Sequence, residues 1–370
     1  MLLKRLNLIN FRNYSEIHIN FYDGVNILYG ENGAGKTNIL ESIFYLALTK
    51  SFRTNNDKHL ILNKSDMFRI LGEFEIGSKQ TLQSSIAYSP TEGKRLTVNY
   101  QKISKFSDYI GQLPIVLLSP SDLLLSQGSP AQRRRFIDVL LCQSSRVYLH
   151  HLMHYNRSLR HRNQLLQPKN KNMELLLSWE ENLINNGTHI IKKRKETVEV
   201  LSELVQSFYK KLSDGKDNVK IVYQTNIGLN NWDNLHLNFR DQFNEKRDRE
   251  YELETTIIGP HRDDLLFLIN GKVLKNYASQ GEHKTFIIAL KLAELYYLGQ
   301  RQTESPILLF DDVFGELDSG RIRKMLDHLG EIGQVFITTT SKTFFDKLEK
   351  VPMSVHYYHV ENGNVSAQAA

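Results

Sequence analysis

Gly30-Glu31-Asn32-Gly33-Ala34-Gly35-Lys36-Thr37 fits the pattern G-x-x-x-x-G-K-[ST] at every fixed position. Just before it, Val25-Asn26-Ile27-Leu28-Tyr29 is a short apolar run bounded by Asp23-Gly24, the pattern of a buried strand. After it, Ile39, Leu40, Ile43, Phe44 and Ala47 recur at helical spacing, which predicts a helix from about Lys36 to Leu48. Strand, glycine-rich turn and helix in that order make a phosphate-binding loop. The glycines let backbone N–H groups converge on an anion, and the dipole of the following helix adds positive potential there. Lys36 is placed to reach the outer phosphates and the Thr37 hydroxyl to ligate Mg²⁺.

Working outward, Leu2 to Asn10 and Glu16 to Phe21 alternate as two strands leading into the loop, with Arg12 in the turn between them. If these strands flank the loop's strand, Arg12 can contact a nucleotide phosphate; otherwise it is a surface arginine. Phe68 to Ile76, Thr81 to Tyr88 and Arg95 to Tyr100 predict an antiparallel sheet. Leu113 to Leu118 reads as another core strand, and Pro130 to about Leu212 as helical, broken at Gln167-Pro168-Lys169-Asn170. Two arms of some thirty residues would reach roughly 45 Å. Strands return at Val219 to Gln224, Leu253 to Ile258 and Leu265 to Ile269, the last followed by the hairpin signal Asn270-Gly271. Gly259-Pro260-His261-Arg262-Asp263-Asp264 is a polar cluster compatible with an ordinary turn.

Downstream, Pro306-Ile307-Leu308-Leu309-Phe310-Asp311-Asp312 is an apolar run ending in two carboxylates, the form of a Walker B element. Asp311 suits Mg²⁺, and Asp312 is placed to orient or deprotonate an attacking water. Ser279-Gln280-Gly281-Glu282 opens a helix as a capping box and presents a hydroxyl and a helix dipole to an anion. Gly315-Glu316-Leu317-Asp318 follows the Walker B acids, and Gln334 to Ser341 reads as a last strand ending in hydroxyls.

The 370 residues are 41% hydrophobic and carry a net charge of +6, enough for two or three domains with real cores. No export signal or stretch of eighteen uninterrupted apolar residues is found, and Cys142 is the only cysteine, so a cytoplasmic protein is expected. The charge is local: residues 130–216 hold sixteen Lys and Arg against eight Asp and Glu. Arg133-Arg134-Arg135 and Lys192-Lys193-Arg194-Lys195 are candidates for contact with a polyanion such as DNA, with a solvated or internally paired helical surface as the alternative.

The order of P-loop, Ser-x-Gly-Glu signature, Walker B and Glu-Leu-Asp loop resembles the ABC-type ATPases of the SMC group. Within it, the chain resembles the RecF-like recombination mediators. Asn10 to Tyr14, Thr37 to Glu41, Ser51 to Thr54, Gly128 to Pro130 with Arg133 to Phe136, and Gly259 to Asp264 carry that likeness beside the motifs above. The resemblance implies an α/β fold: a P-loop ATPase head with a mixed sheet and an antiparallel β subdomain, plus an inserted helical lobe without long coiled-coil arms. Residues 1–118 and 286–370 are expected to form the ATPase lobe, and 119–285 the helical lobe. It further implies a homodimer sandwiching two ATP with Mg²⁺, Ser279 to Glu282 acting in trans and Gly315 to Asp318 serving as the D-loop. Slow, DNA-stimulated hydrolysis would act as a timer. Such proteins bind single-strand/double-strand junctions of gapped DNA and help load RecA with RecO and RecR in recombinational repair, replication restart and the SOS response. Two departures stand out: Lys284 where arginine is usual, and Thr340-Ser341 where the wider group often has histidine. The alternatives are the ATPase subunit of an ABC transporter, against which the basic segment argues, and a small P-loop kinase, in which the signature has no task.

Overall fold

The computed structural model describes residues 1–77, 79–168, 172–213, 215, 217–228, 231–313, 333–340 and 354–368. The chain forms two compact units: Met1–Asp122 with Lys211–Gly215 and Ile288–Ala370, and Leu123–Lys210 with Lys216–Ile287.

The first unit holds β1 (Leu2–Phe11), β2 (Tyr14–Asn20), β3 (Val25–Tyr29), α1 (Lys36–Leu48), β4 (Phe68–Ile76), β5 (Gln80–Ser89), β6 (Gly93–Val98), β7 (Gln101–Lys102) and β8 (Ile115–Leu118). Strands β12 (Ile307–Phe310), β13 (Val335–Thr339), β14 (Val355–Glu361) and β15 (Asn364–Gln368) return to it from the far end of the sequence. They make two six-stranded sheets, an antiparallel one in the order β2-β1-β4-β5-β6-β7 and a mixed one in the order β15-β14-β3-β13-β12-β8. In the mixed sheet β3, β8, β12, β13 and β14 are parallel, and β15 turns back as an antiparallel edge. The central strands β3, β12 and β13 are buried almost throughout, because parallel strands covered on both faces need continuous rather than alternating apolar residues. In β1 the buried set passes from Leu3 to Leu6, Leu8 and Phe11. The first change of parity, between Leu3 and Leu6, follows from a bulge between Leu3 and Arg5, where β1 advances two residues against one on β4. The second, between Leu8 and Phe11, coincides with Asn10 at a left-handed φ of 51°.

This arrangement decides one alternative that the pattern left open. Strands β1 and β2 do not flank β3: both edges of β1 are taken by β2 and β4, and the neighbours of β3 are β13 and β14. Strands β14 and β15 were not anticipated, although Asn362-Gly363 between them has the positive φ values, 47° and 78°, that a tight hairpin turn requires. Helix α1 contacts β1, β4 and β5 of one sheet and β8 and β13 of the other, and is buried nearly all round.

The second unit contains α2 (Leu123–Gln127), α3 (Pro130–Ser144), α4 (Arg146–Leu166), most of α5 (Met173–Leu212), β9 (Val219–Gln224), α6 (Leu235–Leu253), β10 (Asp264–Ile269), β11 (Lys272–Val273), α7 (Leu274–Tyr277) and the start of α8 (Gln280–Gly299). The sheet is β11-β10-β9, antiparallel, with Leu265, Phe267 and Ile269 on its buried face. The expected two helical arms are three helices, because Ser145 ends α3 and caps α4 through the Tyr148 N–H. Helix α5 has 40 residues, about 60 Å at 1.5 Å per residue. Leu253 to Ile258 is not a strand. Leu235, Phe239, Phe243 and Glu250 instead bury one face of α6, which stops where Glu254 turns left-handed at φ 52°.

Candidate functional site

The loop between β3 and α1 has the backbone its glycines permit. Gly33 and Gly35 have φ of 83° and 117°, in the left-handed region that other residues rarely enter. A Cβ on Gly35 would lie 2.5 Å from the Tyr14 hydroxyl and 2.7 Å from Asn13 Nδ2, so a side chain there collides with the β1–β2 turn. The ammonium of Lys36 folds back over the loop and donates to the carbonyls of Gly30 (2.7 Å) and Glu31 (2.8 Å). Burial pushes its pKa down, against the fields of Asp312 and Asp311.

Asp311 stands at the end of β12, whose pairing with β13 and β8 carries it to the loop. Its Oδ1 accepts from Thr37 Oγ1 (2.7 Å) and Thr338 Oγ1 (3.0 Å). Burial raises the Asp311 carboxyl, opposed by those two hydroxyls and by the field of Arg53. Asp312 adopts a left-handed φ of 50°, donates its backbone N–H to Thr338 Oγ1 (2.8 Å), and leaves its side chain exposed. The residues fit a nucleotide with a hard divalent cation. Thr37 and Asp311 are a hydroxyl and a carboxylate, the oxygen donors Mg²⁺ prefers. The buried hydroxyl of Tyr14 has no hydrogen-bond partner among the described residues, and the first N–H groups of α1 are the ones helix geometry leaves free.

A second layer was not legible as a site. Glu41, fully buried on α1, accepts from Arg12 Nε (2.8 Å) and Nη2 (2.7 Å), from Ser51 Oγ, and from Arg53 Nη1 (3.4 Å). Arg12, expected at a phosphate, thus has its guanidinium on Glu41, with Nη1 on the carbonyl of His59 (2.9 Å). Arg53 Nη1 also donates to Asn38 Oδ1 (2.8 Å), Asn38 Nδ2 to Asn13 Oδ1 (2.7 Å), and Asn13 Nδ2 to the carbonyl of Ala34 in the loop (3.1 Å). The only advance sign was the grouping of Arg12, Asn13, Glu41, Ser51 and Arg53 in short polar motifs around the P-loop segment.

The remaining expected residues lie elsewhere. Ser279 and Glu282, in the second unit, form a capping box: the Ser279 N–H donates to Glu282 Oε2 (2.6 Å) and the Glu282 N–H to Ser279 Oγ (3.3 Å). The hydrogen bonds from Ser279 hold the Glu282 carboxyl below its usual range. Gln280 is exposed and Gly281 half-buried. Gly315, Glu316, Leu317 and Asp318 lie outside the described residues, as does Ser341.

The basic clusters need correction. Arg133 is buried and paired with Asp264 (Nε–Oδ1 2.7 Å, Nη2–Oδ2 2.8 Å), and Arg134 donates to the carbonyl of Asp263 (2.8 Å). Arg194 is 2% exposed and donates to Asp138 (2.7 Å) and the carbonyl of Pro260 (2.6 Å). A free basic face therefore cannot include Arg133 or Arg194. The guanidinium fork satisfies several internal acceptors at once, which suits it to burial. Arg135 and Lys192 are exposed, while Lys193 and Lys195 pair with Glu196 and Glu199. The Gly259–Asp264 turn is the acceptor of these arginines, and its Asp263 also accepts from Tyr223, Thr225 and Asn226.

A glycine-rich loop between a parallel strand and a helix, with a carboxylate from the next strand but one hydrogen-bonded to the loop's threonine, makes a P-loop nucleotide site. The six-stranded antiparallel sheet that shares α1 with the mixed sheet gives it the architecture of an ABC-type ATPase head. Three comparisons narrow the class. The family model for the RecF/RecN/SMC N terminal domain matches residues 2–365. The chain is 39% identical over 367 residues to the DNA replication and repair protein RecF of Streptococcus gordonii, covering 99% of this chain and 100% of that one. It is 35% identical over 378 residues to the RecF of Salinibacter ruber, covering 99% and 92%. A solved structure of the recombination mediator protein RecF-ATP in the RecFOR pathway superimposes with a TM-score of 0.91 at 30% identity, over 99% of this chain and 97% of that one. An Smc head bound to the C-winged helix domain of ScpA shares the fold at a TM-score of 0.58 and 15% identity, over 100% and 97%. The chain belongs to the RecF family.

Proposed function

We propose that the chain is an ATP-dependent DNA-binding protein of recombinational repair and replication restart. It binds single-strand/double-strand junctions of gapped DNA as an ATP-sandwiched dimer, hydrolyses ATP slowly under DNA stimulation, and helps load RecA with RecO and RecR. The observation that carries the reading is the Thr37–Asp311 hydrogen bond of 2.7 Å, which joins P-loop and Walker B across 274 positions of sequence. Thr37 and Asp311 would hold Mg²⁺ there, which would supply charge neutralisation to the transferred phosphoryl group. Gly30 to Gly35 offer backbone N–H groups to the phosphates, Lys36 exchanges its two carbonyl acceptors for phosphate oxygens, and Asp312 orients the water. Ser279 to Glu282 act on the nucleotide of a second copy, and Gly315 to Asp318 form the D-loop. Residues 1–118 and 286–370 are the ATPase lobe, and 119–285 the helical lobe. Arg135, Lys192, Lys193 and Lys195 remain as DNA contacts, a term dominated by phosphate and therefore steeply salt-dependent. Cytoplasmic location accords with the absence, among the described residues, of any helix long and apolar enough to cross a membrane.

Sedimentation with and without Mg-ATP and gapped duplex tests this, beside Lys36→Ala. A dimer that forms only with ATP, binds the duplex and disappears in the variant is the expected result. A protein that stays monomeric with ATP and DNA both saturating refutes the trans mechanism. The transporter reading finds no support in these relatives.

A further inference from the structure

Two guanidiniums share one buried carboxylate beside the loop. Glu41 is 0% exposed, whereas Arg53 is 44% exposed and Arg12 19%. The carboxylate takes Arg12 through two parallel hydrogen bonds, the strong bidentate form, and Arg53 through one longer contact. It also accepts from Ser51 Oγ, which in turn accepts the backbone N–H groups of Arg53 (2.9 Å) and Thr54 (3.0 Å). The segment bearing Arg53 is therefore tied to Glu41 by side chain and backbone alike. From Arg53 the chain of amides through Asn38 and Asn13 ends on the loop carbonyl of Ala34, and the field of Arg53 reaches Asp311.

We propose that Glu41 tunes the charge of the nucleotide site: it cancels one of the two charges of Arg12 and Arg53, whose own bonds to the His59 carbonyl and to Asn38 also keep them beside the P-loop. The Arg12–Arg53–Glu41 cluster thereby contributes a single net positive charge there, in addition to that of Lys36. The inference rests on the nucleotide-site reading above. Its consequence is that Glu41 limits how tightly nucleotide is held. Two uncompensated cations close to a polyphosphate would bind product as well as substrate more strongly, and release would slow.

Glu41→Gln keeps the shape and one of the two acceptor oxygens while removing the charge. Fluorescent mant-ATP and mant-ADP titrations on the full chain are expected to show both nucleotides held about tenfold tighter, with a steeper salt dependence. Arg53→Gln is expected to weaken both about tenfold with Glu41 intact, and Glu41→Gln combined with Arg53→Gln to return affinity close to wild type. A purely structural Glu41 predicts the opposite sign, affinity falling in Glu41→Gln as the arginines loosen, and that result overturns the proposal. If Glu41→Gln fails to fold, Arg53→Gln still decides: unchanged affinity there removes Arg53 from the site and the proposal with it. Lys36→Ala run alongside separates the two levels, since nucleotide binding untouched in that variant refutes the P-loop reading itself.

Discussion

Arg162 is wholly buried in the second unit, and its replacement by methionine should cost about 3 kcal/mol of stability, at the low end of the usual range for breaking a buried ion pair. The guanidinium donates to Glu180 Oε1 (2.7 Å), Glu250 Oε2 and Thr256 Oγ1 (2.7 Å), and lies 4.5 Å from the centroid of the Phe243 ring. Methionine keeps much of the packing, so the loss is electrostatic. Glu180 retains Arg247 on its other oxygen at 2.8 Å, whereas among the described residues Glu250 keeps only the Ile257 N–H, also at 2.8 Å. The penalty therefore falls mainly on one stranded carboxylate. Burial already raises the Glu250 pKa, against Arg162 and the Ile257 N–H, and deleting the arginine raises it further. An acid with a folded pKa above its unfolded value destabilises the fold only where it must ionise, so the deficit grows as pH rises from about 4.3 through the raised value. Both tryptophans, Trp179 and Trp232, lie in the second unit, so fluorescence follows its unfolding in urea without a signal from the first. The variant should lose most stability at pH 8 and recover part of it near pH 5, and Glu250→Gln added to it should restore part at pH 8. A deficit below about 1 kcal/mol, or one that grows on acidification, refutes the account.

Four further variants test the first unit and the basic helices. Asp311→Asn should abolish hydrolysis, by at least about a hundredfold in single turnover, while mant-ATP still binds, because a neutral amide is a poor ligand for Mg²⁺. Gly35→Ala should lose nucleotide binding and lower the melting temperature, since the new methyl meets the Tyr14 hydroxyl and φ stays at 117°. Arg194→Ala should lower the melting temperature of the second unit; Lys192→Glu should leave it unchanged yet weaken binding of gapped duplex and reduce the salt slope by about one or two units, as calorimetry and anisotropy would show.

The loop and the Walker B strand were readable because each is local: a fixed spacing of glycines before a helix, and a continuous apolar run ending in acids. The capping box at Ser279 was readable for the same reason. Sheet membership was not, because alternation shows which face of β1 is buried but not which strand pairs with it, and the partners of β3 come from residues beyond 330. Helix α6 escaped notice because its buried face is only Leu235, Phe239, Phe243 and Glu250 in an otherwise polar stretch. Glu41 looks like any acid on a helix until tertiary packing brings Arg12 and Arg53 to it from opposite sides in the sequence.

Charge counting over residues 130–216 fails for a related reason, and the cation's identity repairs it. Arg133, Arg162 and Arg194 are buried, each with an acid of its own unit: Asp264, Glu180 with Glu250, and Asp138. Among the described residues of the segment no lysine is buried. A planar fork that makes several hydrogen bonds in one orientation leaves water at less cost than a compact, strongly hydrated ammonium. Where this chain does bury lysines, at Lys36 and Lys291, each is held by carbonyls or acids. Arginines in such a segment divide between scaffold and surface, and its lysines stay with the solvent. The surface left to meet a polyanion is therefore smaller than the net charge suggests, and the exposed cations of the segment are both kinds: Arg135, Arg146, Arg157 and Arg160 beside Lys192, Lys210 and Lys211. Contacts from such side chains to phosphate would position a polyanion and read little of the sequence between them.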